Sequence, residues 1–285
     1  MKILITGASG MLGTDLRKAL GAEHELVLTD VVGDVRFLDV TDTGSVMSTV
    51  AEVRPDVVIH AAAYTDVDGC ERDPDKAYLV NGLGTWNVAT ACREYDAAVV
   101  YVSTDFVFDG EKGEPYTEYD RTNPLGHYGA SKLAGEKHVR ELCPRHYIAR
   151  TAWLYGEHGK NFPFSIMKAA EKRPELKIVA DQIGTPTLTV DLAGAIRDLI
   201  GSPLYGTYHV TNKGSCSWYD FAKEILRLAG ITNVEVKPIK AEEWPSPTRR
   251  PKLSVLRHYA LELQGRDNLR PWEDALADFI ARVRK

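Results

Sequence analysis

Cysteines, long apolar runs and clustered basic residues are all scarce in this sequence of 285 residues. The four cysteines are scattered and form no Cys-x-x-Cys pair, so neither a zinc site nor a disulfide framework is expected. No apolar run is long enough to cross a bilayer, and the opening segment 1–5 is too short for a signal-peptide core. The net charge is -5 without a dense basic stripe, so we expect no nucleic-acid or membrane partner. The sequence therefore predicts a globular, cytoplasmic protein.

Short apolar segments alternate with amphipathic ones through the first half of the chain. The predicted strands cover residues 2–6, 25–29, 56–60, 97–103 and 146–150, and the predicted helices cover residues 11–20, 42–53, 73–94 and 128–142. This alternation is typical of βαβ units and of a parallel sheet that is buried on both faces. We therefore predict an α/β fold, with a Rossmann-like doubly wound parallel sheet and a smaller C-terminal substrate-binding lobe.

The second half of the chain is less regular. Helices are predicted near residues 161–172, 190–200 and 217–229, and a last helix starts at residue 271. We expect a dinucleotide-binding domain at residues 1–155 and a mainly substrate-binding lobe at residues 156–285. Within that lobe, a stretch near residues 180–212 is expected to return to the first domain.

A glycine-rich turn joins the first predicted strand to the first predicted helix. Gly7, Gly10 and Gly13 follow a Gly-x-x-Gly-x-x-Gly spacing at this turn. Glycines at such a turn let backbone N–H groups approach a pyrophosphate at the helix N-terminus. Asp30 ends the second strand, where an acidic residue holds the adenosine ribose of a dinucleotide. Its carboxylate would repel a 2′-phosphate, so the chemistry favours NADH over NADPH.

A tyrosine and a lysine lie one helical turn apart at Tyr128 and Lys132. A nearby cation favours the phenolate, so this spacing suits proton transfer. The pair Tyr219 and Lys223 has the same spacing. What distinguishes the first pair is Thr104, which ends the strand before it and is expected to point into the ligand crevice. We therefore predict that the first pair is catalytic and the second is structural.

The glycine turn, Thr104 and the Tyr128–Lys132 pair together resemble the extended short-chain dehydrogenases/reductases. Further segments narrow the resemblance, at residues 60–68, 103–110, 150–156, 181–187 and 250–251. With these segments, essentially the whole chain is similar to the family of dTDP-4-dehydrorhamnose reductases.

The resemblance implies specific roles. Tyr128 would protonate the C4 carbonyl oxygen of dTDP-4-dehydro-6-deoxy-L-mannose, a dTDP-sugar, while NADPH or NADH would deliver the hydride. Lys132 would hold the nicotinamide ribose and lower the pKa of Tyr128, and Thr104 would bind the same oxygen. The residues expected to bind the cofactor are Gly7, Ser9, Gly10, Met11, Leu12, Gly13, Asp30, Asp39, Val40, Ala61, Ala62, Ala63, Tyr64, Thr65, Tyr128 and Lys132. The residues expected to bind the substrate are Thr104, Asp105, Trp153, Val67, Asn161 and Arg250.

Some positions depart from the family pattern. Phe106 stands where a tyrosine is common, which removes a hydroxyl contact. Some members hold magnesium at a dimer interface through acidic residues. Here only Asp15 matches, and Val190 stands where a carboxylate would be needed. We predict no metal ligands, interpret Asp15 as an ordinary first-turn helix residue, and leave magnesium and a homodimer open.

Three alternatives stay open on the sequence. A nucleotide-sugar 4,6-dehydratase uses an Asp-Glu pair after the strand-end threonine, whereas Asp105 is followed by Phe106 here. A 4-epimerase is not excluded by composition. A non-catalytic NAD(P)-binding regulatory subunit, of the methionine adenosyltransferase type, would bind cofactor without turnover. The intact Thr104, Tyr128 and Lys132 favour an enzyme.

Overall fold

The computed structural model of the protein describes residues 1–284. The strands are β1 (Lys2–Thr6), β2 (Glu25–Asp30), β3 (Arg36–Phe37), β4 (Val57–His60), β5 (Ala98–Thr104), β6 (His146–Thr151), β7 (Leu154–Tyr155), β8 (Glu175–Val179), β9 (Ile183–Gly184), β10 (Thr187–Leu188), β11 (Gly206–His209), β12 (Cys216–Ser217) and β13 (Glu235–Ile239). The helices are α1 (Met11–Leu20), α2 (Thr43–Val53), α3 (Val67–Arg72), α4 (Pro74–Ala77), α5 (Gly84–Glu94), α6 (His127–Leu142), α7 (Phe162–Ala170), α8 (Thr189–Ile200), α9 (Trp218–Leu228), α10 (Tyr259–Leu263) and α11 (Trp272–Val283).

A seven-stranded parallel sheet forms the centre of the protein, in the order β11-β6-β5-β4-β1-β2-β3. The middle of each central strand is apolar because helices cover both faces of the sheet. Helices α1 and α8 pack on one face, and α2, α5 and α6 pack on the other. The predicted doubly wound α/β fold is confirmed. Since parallel strands end at one edge, Thr6, His60 and Thr104 lie along the same edge of the sheet.

A second hydrophobic core lies in the C-terminal half of the chain. Helices α7, α9 and α11 contribute most of it, together with the two-stranded parallel sheet of β8 and β13. Phe221, Leu276 and Phe279 are completely buried there. The apolar face of α11 therefore docks on α9. Strand β11 and helix α8 instead pack with the central sheet.

One predicted helix was wrong, and several strands were not predicted. The single helix predicted over residues 73–94 is three consecutive elements, because a π-helical turn (Tyr78–Leu83) separates α4 from α5. Pro74 starts α4 at a position where its missing N–H costs nothing, and Asp73 caps it. Strands β8, β11 and β13 were not predicted, because their short mixed sequences carry neither a clear alternation nor a continuous apolar run. Within residues 1–284, every helix is too short or too polar to cross a bilayer.

Candidate active site

The glycine turn between β1 and α1 depends on the absence of side chains. Gly7 has a φ of +72°, and a Cβ there would lie 2.6 Å from the backbone N of Ala62. A Cβ on Gly13 would lie 2.3 Å from the carbonyl oxygen of Gly7. Helix α1 begins after Gly10, and no side chain among residues 1–284 caps its first N–H groups. These free donors at a helix N-terminus fit the pyrophosphate of a dinucleotide.

Asp30 lies at the end of β2 beside the glycine turn. One oxygen of its carboxylate accepts a hydrogen bond from Ser9 N (3.0 Å), and the other accepts one from Val31 N (2.7 Å). The Ser9 hydroxyl donates to the carbonyl oxygen of Val32 (2.8 Å). The carboxylate thus stays partly exposed next to the turn, where the ribose of a dinucleotide would lie. Asp39, also partly exposed, accepts from the backbone N and hydroxyl of Thr41.

The segment Ala61 to Thr65 follows β4 and is held by a residue that the sequence interpretation missed. Asn81 accepts a hydrogen bond from Tyr64 N (2.8 Å) and donates to the carbonyl oxygen of Tyr64 (3.0 Å). Its amide also donates to the Ser131 hydroxyl of α6 (3.1 Å). Asn81 lies in the π-helical turn, a feature that often marks functional sites. It therefore fixes the 61–65 segment to the helix that carries Tyr128.

Helix α6 carries Tyr128 and Lys132 toward the edge of the sheet. Lys132 is almost completely buried, and its Nζ lies 4.2 Å from the ring centroid of Tyr101. Burial lowers the pKa of Lys132 to about 7, while the negative charge of Glu136 opposes that shift. Burial raises the pKa of Tyr128 well above its ordinary value, and the Thr104 hydroxyl partly opposes this. The predicted net lowering of the Tyr128 pKa is therefore wrong in this arrangement, because burial is the largest influence on that pKa and raises it.

Thr104 and Asp105 stand where β5 ends. Thr104 is 5% exposed and Asp105 is 1% exposed, and the Thr104 hydroxyl donates to Asp105 Oδ1 (3.0 Å). Burial raises the pKa of Asp105 to about 6, although the hydroxyls of Ser254 and Thr104 lower it. The ring of Phe106 meets the ring of Tyr128 edge-on, with centroids 5.6 Å apart. The threonine, the aspartate and the catalytic tyrosine candidate therefore form one group.

A buried ion cluster supports α6 from behind. Glu136 is completely buried and accepts hydrogen bonds from Ser103, Arg140 and Arg150 at 2.6–2.9 Å. Arg150 itself is 2% exposed. Burial alone would raise the pKa of Glu136, but Arg150 chiefly lowers it below its usual value. Sequence reasoning missed this cluster, although Glu136 follows Lys132 at i+4 spacing on the same helix face.

A cavity of about 1100 Å³ lies next to the 246–250 loop, and the group of Thr104, Tyr128 and Lys132 is not part of its lining. Arg250 lines it and lies 3.4 Å from Asp68, which also accepts hydrogen bonds from Ser246 and Thr248. The carbonyl oxygen of Val67 accepts a further bond from Thr248 (3.4 Å). Predicted substrate residues Val67 and Arg250 thus lie together, where the 246–250 loop meets α3.

Two other predicted substrate residues lie differently. The indole of Trp153 stacks on Trp218, which lines the cavity, with ring centroids 3.5 Å apart. Trp153 has a φ of +46° and fits only because Gly184 carries no side chain. Asn161 caps α7 by accepting from Phe164 N, and its amide donates to the carbonyl oxygen of Gly156 (2.7 Å). The structure gives Asn161 a capping role that uses both ends of its amide, and its contact with the substrate stays a prediction.

The competing tyrosine–lysine pair lies outside the buried second core, with Tyr219 half-buried and Lys223 exposed. Tyr219 and Lys223 lie on α9, where the Lys223 Nζ is 5.2 Å from the Tyr219 ring centroid.

The interpretation of Asp15 as an ordinary first-turn helix residue was wrong, because Asp15 is 2% exposed and accepts a hydrogen bond from Thr189 of α8 (2.6 Å). Asp15 therefore ties α1 to α8. Residues 1–284 contain no cluster of three or more acidic, histidine or cysteine side chains that could hold a metal ion.

Comparisons with known proteins agree with the resemblance seen in the sequence. A family model described as the RmlD substrate binding domain matches residues 1–285. A dTDP-4-dehydrorhamnose reductase of Streptomyces griseus is 41% identical over 281 residues, covering 96% of this chain and 91% of the relative.

Two solved structures are also similar over nearly their whole length. The crystal structure of a dTDP-4-dehydrorhamnose reductase from Clostridium acetobutylicum ATCC 824 has a TM-score of 0.96 and 49% identity, covering 100% of both chains. That of dTDP-4-dehydrorhamnose reductase from Bacillus anthracis str. Ames, in complex with NADP, has a TM-score of 0.95 and 43% identity, covering 99% of both chains. The resemblance inferred from the sequence is confirmed. This chain belongs to the family of the RmlD substrate binding domain, together with these dTDP-4-dehydrorhamnose reductases.

Proposed function

We propose that this chain reduces the C4 keto group of dTDP-4-dehydro-6-deoxy-L-mannose to give dTDP-L-rhamnose, with NADPH or NADH as the reductant. The observation that carries the proposal is the group of Thr104, Tyr128 and Lys132 at the carboxyl edge of the sheet. It lies beside a glycine turn whose free helix N-terminus suits a dinucleotide. Family membership and the names of the relatives support the same reaction.

The residues of this chain supply binding and proton transfer. Tyr128 donates its phenolic proton to the C4 carbonyl oxygen, and burial favours this neutral, donating form. Lys132 then stabilises the phenolate that Tyr128 becomes, because its charge lies one helical turn away. Thr104 is assigned the second hydrogen bond to the same oxygen. When bound, the nicotinamide supplies the hydride that reaches C4, and the proton and hydride together convert the ketone to an alcohol.

We propose NADH as the better of the two reductants for this chain. The Asp30 carboxylate beside the glycine turn can accept hydrogen bonds from two ribose hydroxyls and would repel a 2′-phosphate. The nearest basic residue in the following segment, Arg36, is paired with Glu52 (2.8 Å). The relative from Bacillus anthracis was solved with NADP, so both cofactors belong in the test.

The cavity beside Arg250 is proposed as the site of the dTDP-sugar. Its wall combines Trp218 and Phe162 with Lys177, Arg250 and Lys252. Aromatic faces suit a nucleobase, and basic groups suit a diphosphate. This proposal also assigns substrate binding mainly to residues 156–285 and dinucleotide binding to residues 1–155.

The test is a turnover assay with purified protein and dTDP-4-dehydro-6-deoxy-L-mannose. NADH and NADPH are supplied separately, with and without magnesium, and the product is identified by NMR. We expect loss of reduced-nicotinamide absorbance and formation of dTDP-L-rhamnose. A protein that binds the cofactor but turns over with neither reductant would contradict the proposal and favour the regulatory-subunit alternative. A product of another C4 or C6 chemistry would favour an epimerase or dehydratase.

A further inference from the structure

The hydrogen bond between Thr104 and Asp105 conflicts with a simple donor role for Thr104. The Thr104 hydroxyl donates to Asp105 Oδ1 (3.0 Å) and accepts from Phe106 N (3.2 Å). A hydroxyl carries one proton, so Thr104 cannot give the same proton to a substrate carbonyl. While Asp105 is a carboxylate, Thr104 can only accept from further groups, such as the Tyr128 hydroxyl.

The two oxygens of Asp105 differ in their surroundings. Oδ1 faces the Thr104 hydroxyl, whereas the buried Oδ2 has no partner in strict hydrogen-bond geometry within residues 1–284, and the Ser254 hydroxyl is the other donor near the carboxylate. A proton on Oδ1 faces the Thr104 oxygen and leaves Oδ2 free to accept from Ser254. Protonation of Asp105 on Oδ1 would therefore reverse the hydrogen bond and release the proton of Thr104.

We propose that Asp105 is a positioning residue that sets the direction of the hydrogen bond at Thr104. As a carboxylate, Asp105 keeps Thr104 in an accepting role. As a carboxylic acid, it donates to Thr104, which then donates its own proton to the C4 carbonyl oxygen beside Tyr128. The inference rests on the proposed function, because the substrate oxygen is the group that receives this second hydrogen bond.

The surroundings allow this change within an accessible pH range. Burial raises the pKa of Asp105 to about 6, so both of its forms occur near neutral pH. The titratable group that faces the pair is Tyr128 on α6, which has Cys70 of α3 near it and Lys132 one helical turn away. Burial raises the pKa of Cys70 to about 11 and raises that of Tyr128 as well. Between about pH 5 and 8, Asp105 and Lys132 are therefore the groups of this set that change charge.

The first test compares the pH dependence of kcat/KM for wild type and D105N between about pH 5 and 8. The wild-type value is expected to fall as the pH rises through about 6, by about tenfold or more, since an oxyanion donor is lost. In D105N residue 105 no longer changes charge, so this step disappears, whichever way the amide is turned. The later step near pH 7 from Lys132 remains in both proteins.

Two variants serve as controls in this assay. T104V has no hydroxyl to reverse, so it should be slow at every pH and lack the step near pH 6. D198N removes a carboxylate on α8 that is 55% exposed and pairs with Arg197, so it should keep the wild-type profile. Persistence of the step in D105N would overturn the inference. A folded D105N that is slower at every pH than the wild type is at pH 8 would also overturn it, because neither orientation of the amide should be worse than the ionised carboxylate.

A second measurement does not depend on turnover. Carboxyl-13C aspartate labelling would follow Asp105 by NMR, with D105N identifying its resonance by absence. We expect Asp105 to titrate near pH 6, and T104V to raise this pKa by about one unit, because the carboxylate loses a hydrogen bond. A titration near the ordinary aspartate value, or one unchanged in T104V, would overturn the inference. If the wild-type protein does not reduce the sugar, the proposed function alone is contradicted. The NMR titration of Asp105 can still be measured in that case.

Discussion

Replacing Glu136 by glutamine tests whether the buried ion cluster holds α6, the helix of Tyr128 and Lys132, in place. Glu136 is completely buried, and both of its oxygens are used, by Ser103 and Arg150 on one side and by Arg140 and Arg150 on the other. Glutamine keeps the shape but removes the charge. Arg150, which is 2% exposed, would then be left as a buried cation without a countercharge.

The expected cost follows from the burial of the partner that remains. Removing one member of a buried ion pair costs about 3–5 kcal/mol of unfolding free energy, mainly because the other charge stays desolvated. For a chain of this size, about 2 °C of melting temperature corresponds to each kcal/mol, so Tm should fall by about 5–10 °C. The matched control is Arg140→Ala. Its guanidinium side chain is 36% exposed, so its removal should cost only about 1 kcal/mol or less.

The assay is thermal and urea unfolding at several pH values. Burial raises the pKa of Glu136, but the hydrogen bond and charge of Arg150, with Arg140 and Ser103, lower it more, so the folded value lies below the unfolded one. The contribution of the Glu136 carboxylate to the free energy of unfolding is therefore fully present above about pH 4.3, the pKa of glutamate in the unfolded chain. It is lost as the pH falls through the pKa of Glu136 in the folded protein. Wild type should lose more stability than E136Q on acidification. Two results would contradict this role of the ion cluster. One is a loss of less than about 1 kcal/mol of unfolding free energy in E136Q, and the other is an equal loss of stability in wild type and E136Q on acidification.

Three further predictions concern the catalytic pair and the cofactor site. Tyr128→Phe should lower kcat by about 10²–10⁴-fold, because the proton donor is lost, and its NADH affinity, measured by titration, should stay unchanged. The control Tyr219→Phe should keep the wild-type rate. The reverse result would mean that the wrong pair was assigned. Gly13→Ala should abolish NADH binding by fluorescence titration or unfold the turn, because its Cβ would lie 2.3 Å from a backbone oxygen; near-normal binding would contradict this geometry. Asp30→Ala should raise the NADPH-to-NADH ratio of kcat/KM by about tenfold, equivalent to ~1.4 kcal/mol, and an unchanged ratio would remove Asp30 from cofactor choice.

Much of the first half of the fold could be predicted because its elements follow simple local rules. The central strands β1, β4 and β5 are continuous apolar runs, and α1 starts directly after a glycine turn. The role of the π-helical turn could not be predicted. In that turn Asn81 donates hydrogen bonds to Tyr64 and Ser131, and both of these residues are distant from it in sequence. The strands β8 and β13 pair across more than fifty residues, a register that no local pattern encodes.

The candidate site was predictable where its residues share one element or one strand end. Tyr128 and Lys132 are one helical turn apart, and Thr104 ends a recognisable strand. The pKa of Tyr128 was not predictable, because it depends on how deeply the phenol is buried rather than on spacing. The same limit applies to Asp15, whose partner Thr189 lies 174 residues further along the chain.

The proposed reaction depends on one step, in which a hydride moves from a reduced nicotinamide to C4 of a dTDP-sugar. The most direct test uses NADH that carries deuterium at both C4 positions of its nicotinamide, with dTDP-4-dehydro-6-deoxy-L-mannose as the substrate. We expect dTDP-L-rhamnose with one deuterium at C4 of the sugar, detected by NMR and mass spectrometry. A product without deuterium, or with deuterium at another carbon, would contradict the proposed reaction.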